Sequence, residues 1–260
     1  MQSFFDEAPL GLFAVVLFVC MVLAREFGAS SHRFLSRQKD VGESSDEGYI
    51  LSAVLGLLAL LLAFTFGLAL DHYEKRRELV VTEANALGTA YLRTGILDQP
   101  DQLRSLLHSY TQQRLAYGHS WGTAAAEAAA KAEALQARIW DMAVATVRPQ
   151  RATPMAPMLL GPLNDAFDAA SARKAALAAR LPVSVMGALS LYAIVAAGML
   201  GYAVTAAGGR HRGASLVLFV LLTLAMELIV DLDRPRSGTI HVSQAPMADA
   251  LAGMEQRPAQ

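Results

Sequence analysis

The chain has 260 residues, 54% hydrophobic and 17% charged, with a formal net charge of −1. That near-neutral balance gives no basic footprint for nucleic acid. The single cysteine, Cys20, excludes both an intramolecular disulfide and a Cys-based metal site within one chain. The hydrophobic residues fall in blocks, the pattern of a multi-pass membrane protein.

A hydrocarbon core of about 30 Å needs roughly 20 helical residues. The first candidate span, Ala8 to Ala24, has 17 uncharged residues. The residues before it carry Asp6 and Glu7 but no Lys or Arg, which argues against a signal peptide. Leu17-Phe18-Val19-Cys20 is a poor lipobox, because Val19 is bulky where a small residue is needed. The second span, Gly48 to Leu70, has 23 uncharged residues. Asp71-His72-Tyr73-Glu74-Lys75-Arg76-Arg77 follows without a Pro, and the first Gly after Leu70 is Gly88. One helix therefore leaves the bilayer and continues in water to about Arg93.

Residues 71–182 read as a helical soluble domain continuous with that span. Gly95 and the Leu97 to Asp101 turn end the first helix, and Asp98 is the expected N-cap of the next. Leu103, Leu106, Leu107, Tyr110, Leu115 and Tyr117 form its apolar stripe. A third helix is predicted from about Trp121 to Val147. Its Ala-rich first half has little to bury, while Leu135, Ile139, Trp140, Ala143 and Val147 give the second half a core pattern. Pro149, Pro154 and Pro157 mark a connector, and a fourth helix runs from about Met158 to Ala179. The remaining spans are residues 183–203 and 213–230. The tail, 231–260, is polar and expected to lose order beyond about Ala248.

The expected fold is an all-α membrane protein with four transmembrane helices and a helical soluble domain between spans two and three. Both termini and that domain then share one side of the membrane. Lys and Arg do not decide which side. The short loops carry Arg25, Arg33, Arg37, Lys39, Arg210 and Arg212, but the membrane-proximal parts of the domain and tail carry Lys75, Arg76, Arg77, Arg173, Lys174, Arg180, Arg234 and Arg236.

Two stretches carry a family resemblance. One is Leu68-Ala69-Leu70-Asp71-His72-Tyr73-Glu74-Lys75-Arg76-Arg77 with Glu83 to Arg93 after it. The other is Asp231-Leu232-Asp233-Arg234-Pro235-Arg236-Ser237-Gly238 with Val242 to Pro246. They resemble the bacterial bestrophin-like domain family across roughly Gly48 to Met247. That family in turn is similar to bestrophins: pentameric, four-span, anion-selective channels with a cytosolic helical domain between spans two and three. In place of the bestrophin Asp-Arg-Trp-Trp-Glu-Gly-Arg-like motif this chain has Asp71-His72-Tyr73-Glu74-Lys75-Arg76, without the Arg and both Trp and one position shorter. The resemblance implies an oligomeric, anion-selective channel in a bacterial inner membrane, a pentamer with its helical domain in the cytoplasm.

Counting back from the motif, the bestrophin pore-neck positions fall on Gly56, Leu60 and Phe64, and Ser52 extends their face. Residues four apart share a helical face, and a ring of Leu60 and Phe64 would make a dewetting constriction. The alternative is packing within one subunit through Gly56, Ala59, Ala63 and Gly67. The missing position would rotate the face by about 100° and bring in Ala63 or Thr65. Asp71, Glu74, Lys75, Arg76 and Arg77 form a charged collar. Its spacing suits Asp71–Lys75 and Glu74–Arg77 ion pairs, and Lys75 or Arg76 facing an axis would concentrate anions. The other reading is a solvated helix end with headgroup snorkelling.

Glu227 is the acid inside the fourth span, a candidate for an ion path or a structural salt bridge. Asp231 and Asp233, with Arg234 and Arg236, offer oxygen ligands for a cation. Two carboxylates are few for that, and pairing with arginines of the helical domain or with Arg76 and Arg77 is the competing expectation. No phosphate loop, His-Glu-x-x-His or Gly-x-Ser-x-Gly is present, so neither an enzyme nor a cofactor is indicated. The partners expected are lipid, further copies of the chain and an inorganic ion. A non-conducting scaffold or sensor, its helical domain binding a partner, is the alternative function.

Overall fold

The computed structural model describes residues 10–35, 44–150, 152–209 and 211–256. Arg37, Lys39, Arg210 and the acidic residues Asp6 and Glu7 lie outside them. The helices are α1 (Leu10–Leu35), α2 (Ser44–Arg93), α3 (Asp101–His119), α4 (Gly122–Val147), α5 (Met155–Ala178), α6 (Val183–Ala206), α7 (Arg212–Asp233) and α8 (Ala245–Glu255). Short 3-10 turns, Thr94–Ile96 and Arg148–Gln150, follow α2 and α4. Among the described residues there is no strand. Four helical stretches, Leu10–Phe34, Gly48–Ile96, Met155–Ala206 and Arg212–Asp233, are long and apolar enough to cross a membrane.

The chain divides into two compact units, Met1–Asp71 with Arg180–Ile240, and His72–Ala179 with His241–Gln260. In the first unit α1 pairs most extensively with α6 and then with α7. Phe13, Leu17 and Met21 of α1 are buried, as are Met186, Leu189, Ala193 and Ala197 of α6 and Phe219, Thr223 and Met226 of α7. The opposite sides carry exposed Val15, Leu23, Leu191, Val195, Val217 and Leu221. So much bare apolar surface suits hydrocarbon rather than water.

Small residues let α1 and α6 approach closely. A Cβ added to Gly28 would stand 2.0 Å from the Gly198 carbonyl oxygen, and one on Gly201 would stand 2.1 Å from that of Arg25. Both obstacles are backbone, so neither can rotate away. Where the hydrophobic effect between helices is absent, such packing is what holds them together.

The second unit is a helical domain with one main core. Leu87, Ala90 and Tyr91 of α2 meet Leu103, Leu107 and Tyr110 of α3, Ile139 and Ala143 of α4, and Leu159, Leu163 and Phe167 of α5. Three expectations need correction. First, α3 starts at Asp101 with Pro100 in the N-cap position and no side-chain cap, so Asp98 does not cap it. The second concerns the Ala-rich half of α4, which buries Ala125, Ala128 and Ala132, the first two against Tyr117. Ala suits that role because a flat helix face lets a large ring lie on it. The third is the tail, which forms α8 instead of losing order past Ala248. Met247 and Met254 are buried in the core, and the Tyr91 hydroxyl donates to the Met254 carbonyl at 3.0 Å.

Gly28→Ala and Gly201→Ala are each expected to lower stability in detergent by about 1–3 kcal/mol, as overpacking does. Gly11→Ala, where a Cβ meets nothing within 4 Å, is the neutral control. Thermal unfolding of the three variants measures this.

Candidate functional site

At roughly 100° per residue, most buried positions of α2 fall on one line. Leu58, Thr65, Ala69, Arg76, Val80, Glu83, Leu87 and Ala90 lie on it, and Leu79, Ala84 and Tyr91 widen it in the helical domain. The opposite line is bare. Leu60 and Phe64 are 50% and 69% exposed, and Ser52 and Gly56 are exposed too. A Cβ at Gly56 or Gly67 would meet nothing within 4 Å. Ala59 and Ala63 are exposed as well. Packing of the small residues within one chain, the competing expectation, is therefore not what this face does. Thr65 is turned inward, its hydroxyl donating to the Leu61 carbonyl at 2.8 Å, so of the two rotated-face positions only Ala63 is exposed.

The collar splits between the two lines. Arg76 is 1% exposed, and its Nε donates to the His72 carbonyl at 3.0 Å. It therefore does not sit on the bare face with Lys75, contrary to the expectation that either could. Asp71, Glu74, Lys75, Arg77 and Glu78 are exposed. Lys75 Nζ pairs with Glu78 at 2.8 Å rather than with Asp71, and Glu74 and Arg77 form no pair. By helix phase, Asp71, Glu74 and Glu78 lie within about 40° of the line of Leu60. The continuation of the bare face thus carries Asp71 and Glu74 as carboxylates without a basic partner among the described residues, while Glu78 and Lys75 neutralise each other.

Glu227 of α7 is half-buried and makes no hydrogen bond or ion pair among the described residues. Asp231 is 5% exposed, but its partner is not an arginine. Its carboxylate accepts from the Thr239 backbone N–H at 2.6 Å and from the Thr239 hydroxyl, folding residues 234–240 back on the end of α7. Asp233 Oδ1 accepts from the Leu181 N–H at 2.9 Å, and the Asp233 carbonyl accepts from Arg180 at 2.6 Å. Both carboxylates thus accept hydrogen bonds that close backbone. Arg234 is buried, its N–H donating to the Asp231 carbonyl at 3.1 Å, and Arg236 is half-buried. Among the described residues no group of three or more His, Cys, Asp or Glu could hold a metal.

The sequence reading missed the densest polar site. Glu83 is fully buried, and both its carboxylate oxygens are taken. Arg114 Nε donates to one, and Arg173 donates to the other at 2.7 Å. Arg114 also donates to the Ala170 carbonyl at 3.2 Å and stacks on the Tyr117 ring at 4.9 Å. Arg173 donates to Gln244 Oε1 at 2.6 Å, which ties the segment leading into α8 to the domain. Burial is the largest influence on both guanidiniums and disfavours their charge. The hydrogen bond and charge of Glu83 oppose it, lifting Arg114 above its ordinary range and leaving Arg173 below. Both remain cations at any physiological pH.

A legible signal was there. Glu83 sits seven residues after Arg76 on the buried line of α2. Arg114 falls in the 103-107-110-114-117 stripe and Arg173 in the 159-163-166-170-173 stripe. A charge at a core position must find an opposite partner there.

Fold and site thus define an all-α, multi-pass membrane protein whose second span carries a helical domain. Residues 11–247 match the model of the Bestrophin-like domain, and the chain belongs to the Bestrophin-like family. Its fold is similar to solved structures of low identity. A Trp-to-Ala variant of a bacterial Bestrophin homolog from Klebsiella pneumoniae has a TM-score of 0.73 at 12% identity, over 96% of this chain and 100% of that one. A Tyr-to-Ala variant of the same homolog gives 0.69 at 13%, over 94% and 99%. A structure described as a membrane protein gives 0.68 at 11%, over 97% and 100%. No curated protein matches the chain in sequence at a significant level.

Glu83→Gln leaves two buried guanidiniums without their counter-charge and should cost about 3–5 kcal/mol of domain stability in denaturant unfolding. Glu133→Gln, which removes an exposed pair with Lys174 (2.8 Å), should leave unfolding unchanged. Tyr110 adds a pH dependence. Burial, partly opposed by Arg114, raises its hydroxyl from 10.0 to about 12. The folded state therefore holds that proton more tightly than the unfolded one. The contribution is complete below pH 10 and is lost as pH rises from 10 to about 12, a fall of roughly 2–3 kcal/mol. Alkaline unfolding of Tyr110→Phe should lack that slope.

Proposed function

We propose that the protein is an oligomeric ion channel of the bestrophin type, with α2 at the axis and Gly56, Leu60 and Phe64 lining a hydrophobic neck. The observation that carries this reading is the bare face of α2 opposite the buried line that begins at Leu58. A helix that keeps Leu60 and Phe64 uncovered while burying Arg76 and Glu83 has its partner, lipid or further copies, outside the chain. Copies arranged about an axis supply that partner and enclose a path. The resemblance implies five copies, a bacterial inner membrane and a cytoplasmic helical domain. The reading assigns the chain no catalysis.

For the permeant ion the resemblance implies anions. Asp71 and Glu74 on the same line, with Glu78 held by Lys75, favour a second reading, passage of cations, because carboxylates lining a path attract them. The scaffold or sensor alternative needs no opening at Leu60 and Phe64.

Planar-bilayer recording of the purified protein is the test. Unitary currents whose conductance or open probability rises in Leu60→Ala and Phe64→Ala are expected. The reversal potential in a salt gradient gives the sign of the ion, and Glu74→Gln with Glu78→Gln should shift it if the acidic row lines the path. Silence across varied pH and Ca²⁺, from a protein that is monomeric or dimeric in detergent, would leave the scaffold.

A further inference from the structure

The helical domain holds a cavity that the channel reading does not use. It is an open groove of about 450 Å³ between α4 and α5, lined mostly by exposed side chains. Its aromatic wall is Trp140 and Phe167, with ring centroids 6.5 Å apart and planes at 59°. Phe167 is fixed from behind by an edge contact with Tyr110 at 5.7 Å and belongs to the core. Trp140 is 38% exposed, an uncommon position for the largest side chain of a core stripe.

The polar lining is one-sided in charge. Glu133 and Asp168 contribute carboxylates, and no Lys or Arg lines the cavity. Asn164 Nδ2 donates to Asp168 Oδ2 at 2.9 Å, which orients that carboxylate and leaves Oδ1 as an acceptor. Lys174, at the rim, pairs with Glu133 and holds its carboxyl ionised, below the ordinary range. Aromatic faces and carboxylates favour the same ligand: the ring quadrupole attracts a cation, and the carboxylate accepts its N–H donors or balances its charge. An anion would meet the Asp168 carboxylate, which no cation balances among the described residues, and a purely apolar molecule would leave that carboxylate without a partner.

We propose that this cavity binds a small organic cation, an alkylammonium or guanidinium compound, seated on Trp140 and Phe167 and paired with Asp168. The proposal does not rest on the channel reading.

The chain has two tryptophans, so Trp121→Phe leaves Trp140 as the sole indole. Trp121 is 70% exposed, and the change is expected to be silent in folding. In that background, in detergent, fluorescence is titrated with choline and with argininamide, and 3,3-dimethylbutanol serves as the uncharged isostere of choline. Saturable change with a cation, none with the alcohol, and at least tenfold weaker binding in Asp168→Asn are expected. Asp168 is exposed and its Asn retains the contact with Asn164, so unchanged melting in that variant keeps the result interpretable. Equal response to the alcohol, indifference to Asp168→Asn, or no saturation by about 10 mM would overturn the proposal.

Discussion

One helix has to satisfy hydrocarbon and water in turn, and from Leu58 onward it keeps a line of residues buried in both settings. In α2 that line holds Leu58, Thr65 and Ala69 within the apolar stretch and Arg76, Glu83 and Leu87 beyond it. At 50 residues the helix is far longer than a bilayer needs, so its polar half must be held by packing rather than by lipid.

Glu83 anchors the domain half of α2. Its carboxylate is shared between Arg114 of α3 and Arg173 of α5, so three helices meet at one buried charge set. The set has a net charge of +1, and an additional buried cation is tolerated because Gln244, the Ala170 carbonyl and the Tyr117 ring complete its contacts. Directional bonds of this kind specify rotation about the helix axis in a way that Leu and Ala packing does not. The α1–α6 contact works differently. It fixes distance through Gly28 and Gly201, with no polar bond required.

Much of this was legible because hydrophobic blocks and helix periodicity are properties of single segments. Four spans, the unbroken junction at Asp71 and four domain helices follow from runs and stripes alone. The Asp231-Leu232-Asp233 motif was recognisable, but its role was not, because Thr239 and Leu181 become its partners only after the chain turns back. The Glu83 set spans α2, α3 and α5, so no spacing within one helix reveals it. Only the phase marks each member as a charge in a core position. The Met247 and Met254 stripe of α8 is short enough to pass for a polar tail. Nor does sequence tell whether a face is bare. The same Gly56 and Gly67 would serve equally for packing inside the chain, and only the folded structure separates the two uses.

The central claim is that the bare face of α2 meets its equivalents in other copies. Cys20 is the only native thiol, so a Cys20→Ser chain provides a clean background. Cysteines placed singly at Leu60, at Phe64 and at Leu191, an exposed residue of α6, are treated in membranes with a short bifunctional thiol reagent. The account predicts covalent dimers at Leu60 and Phe64 and none at Leu191. Dimers at Leu191 alone, or at no position, would contradict it.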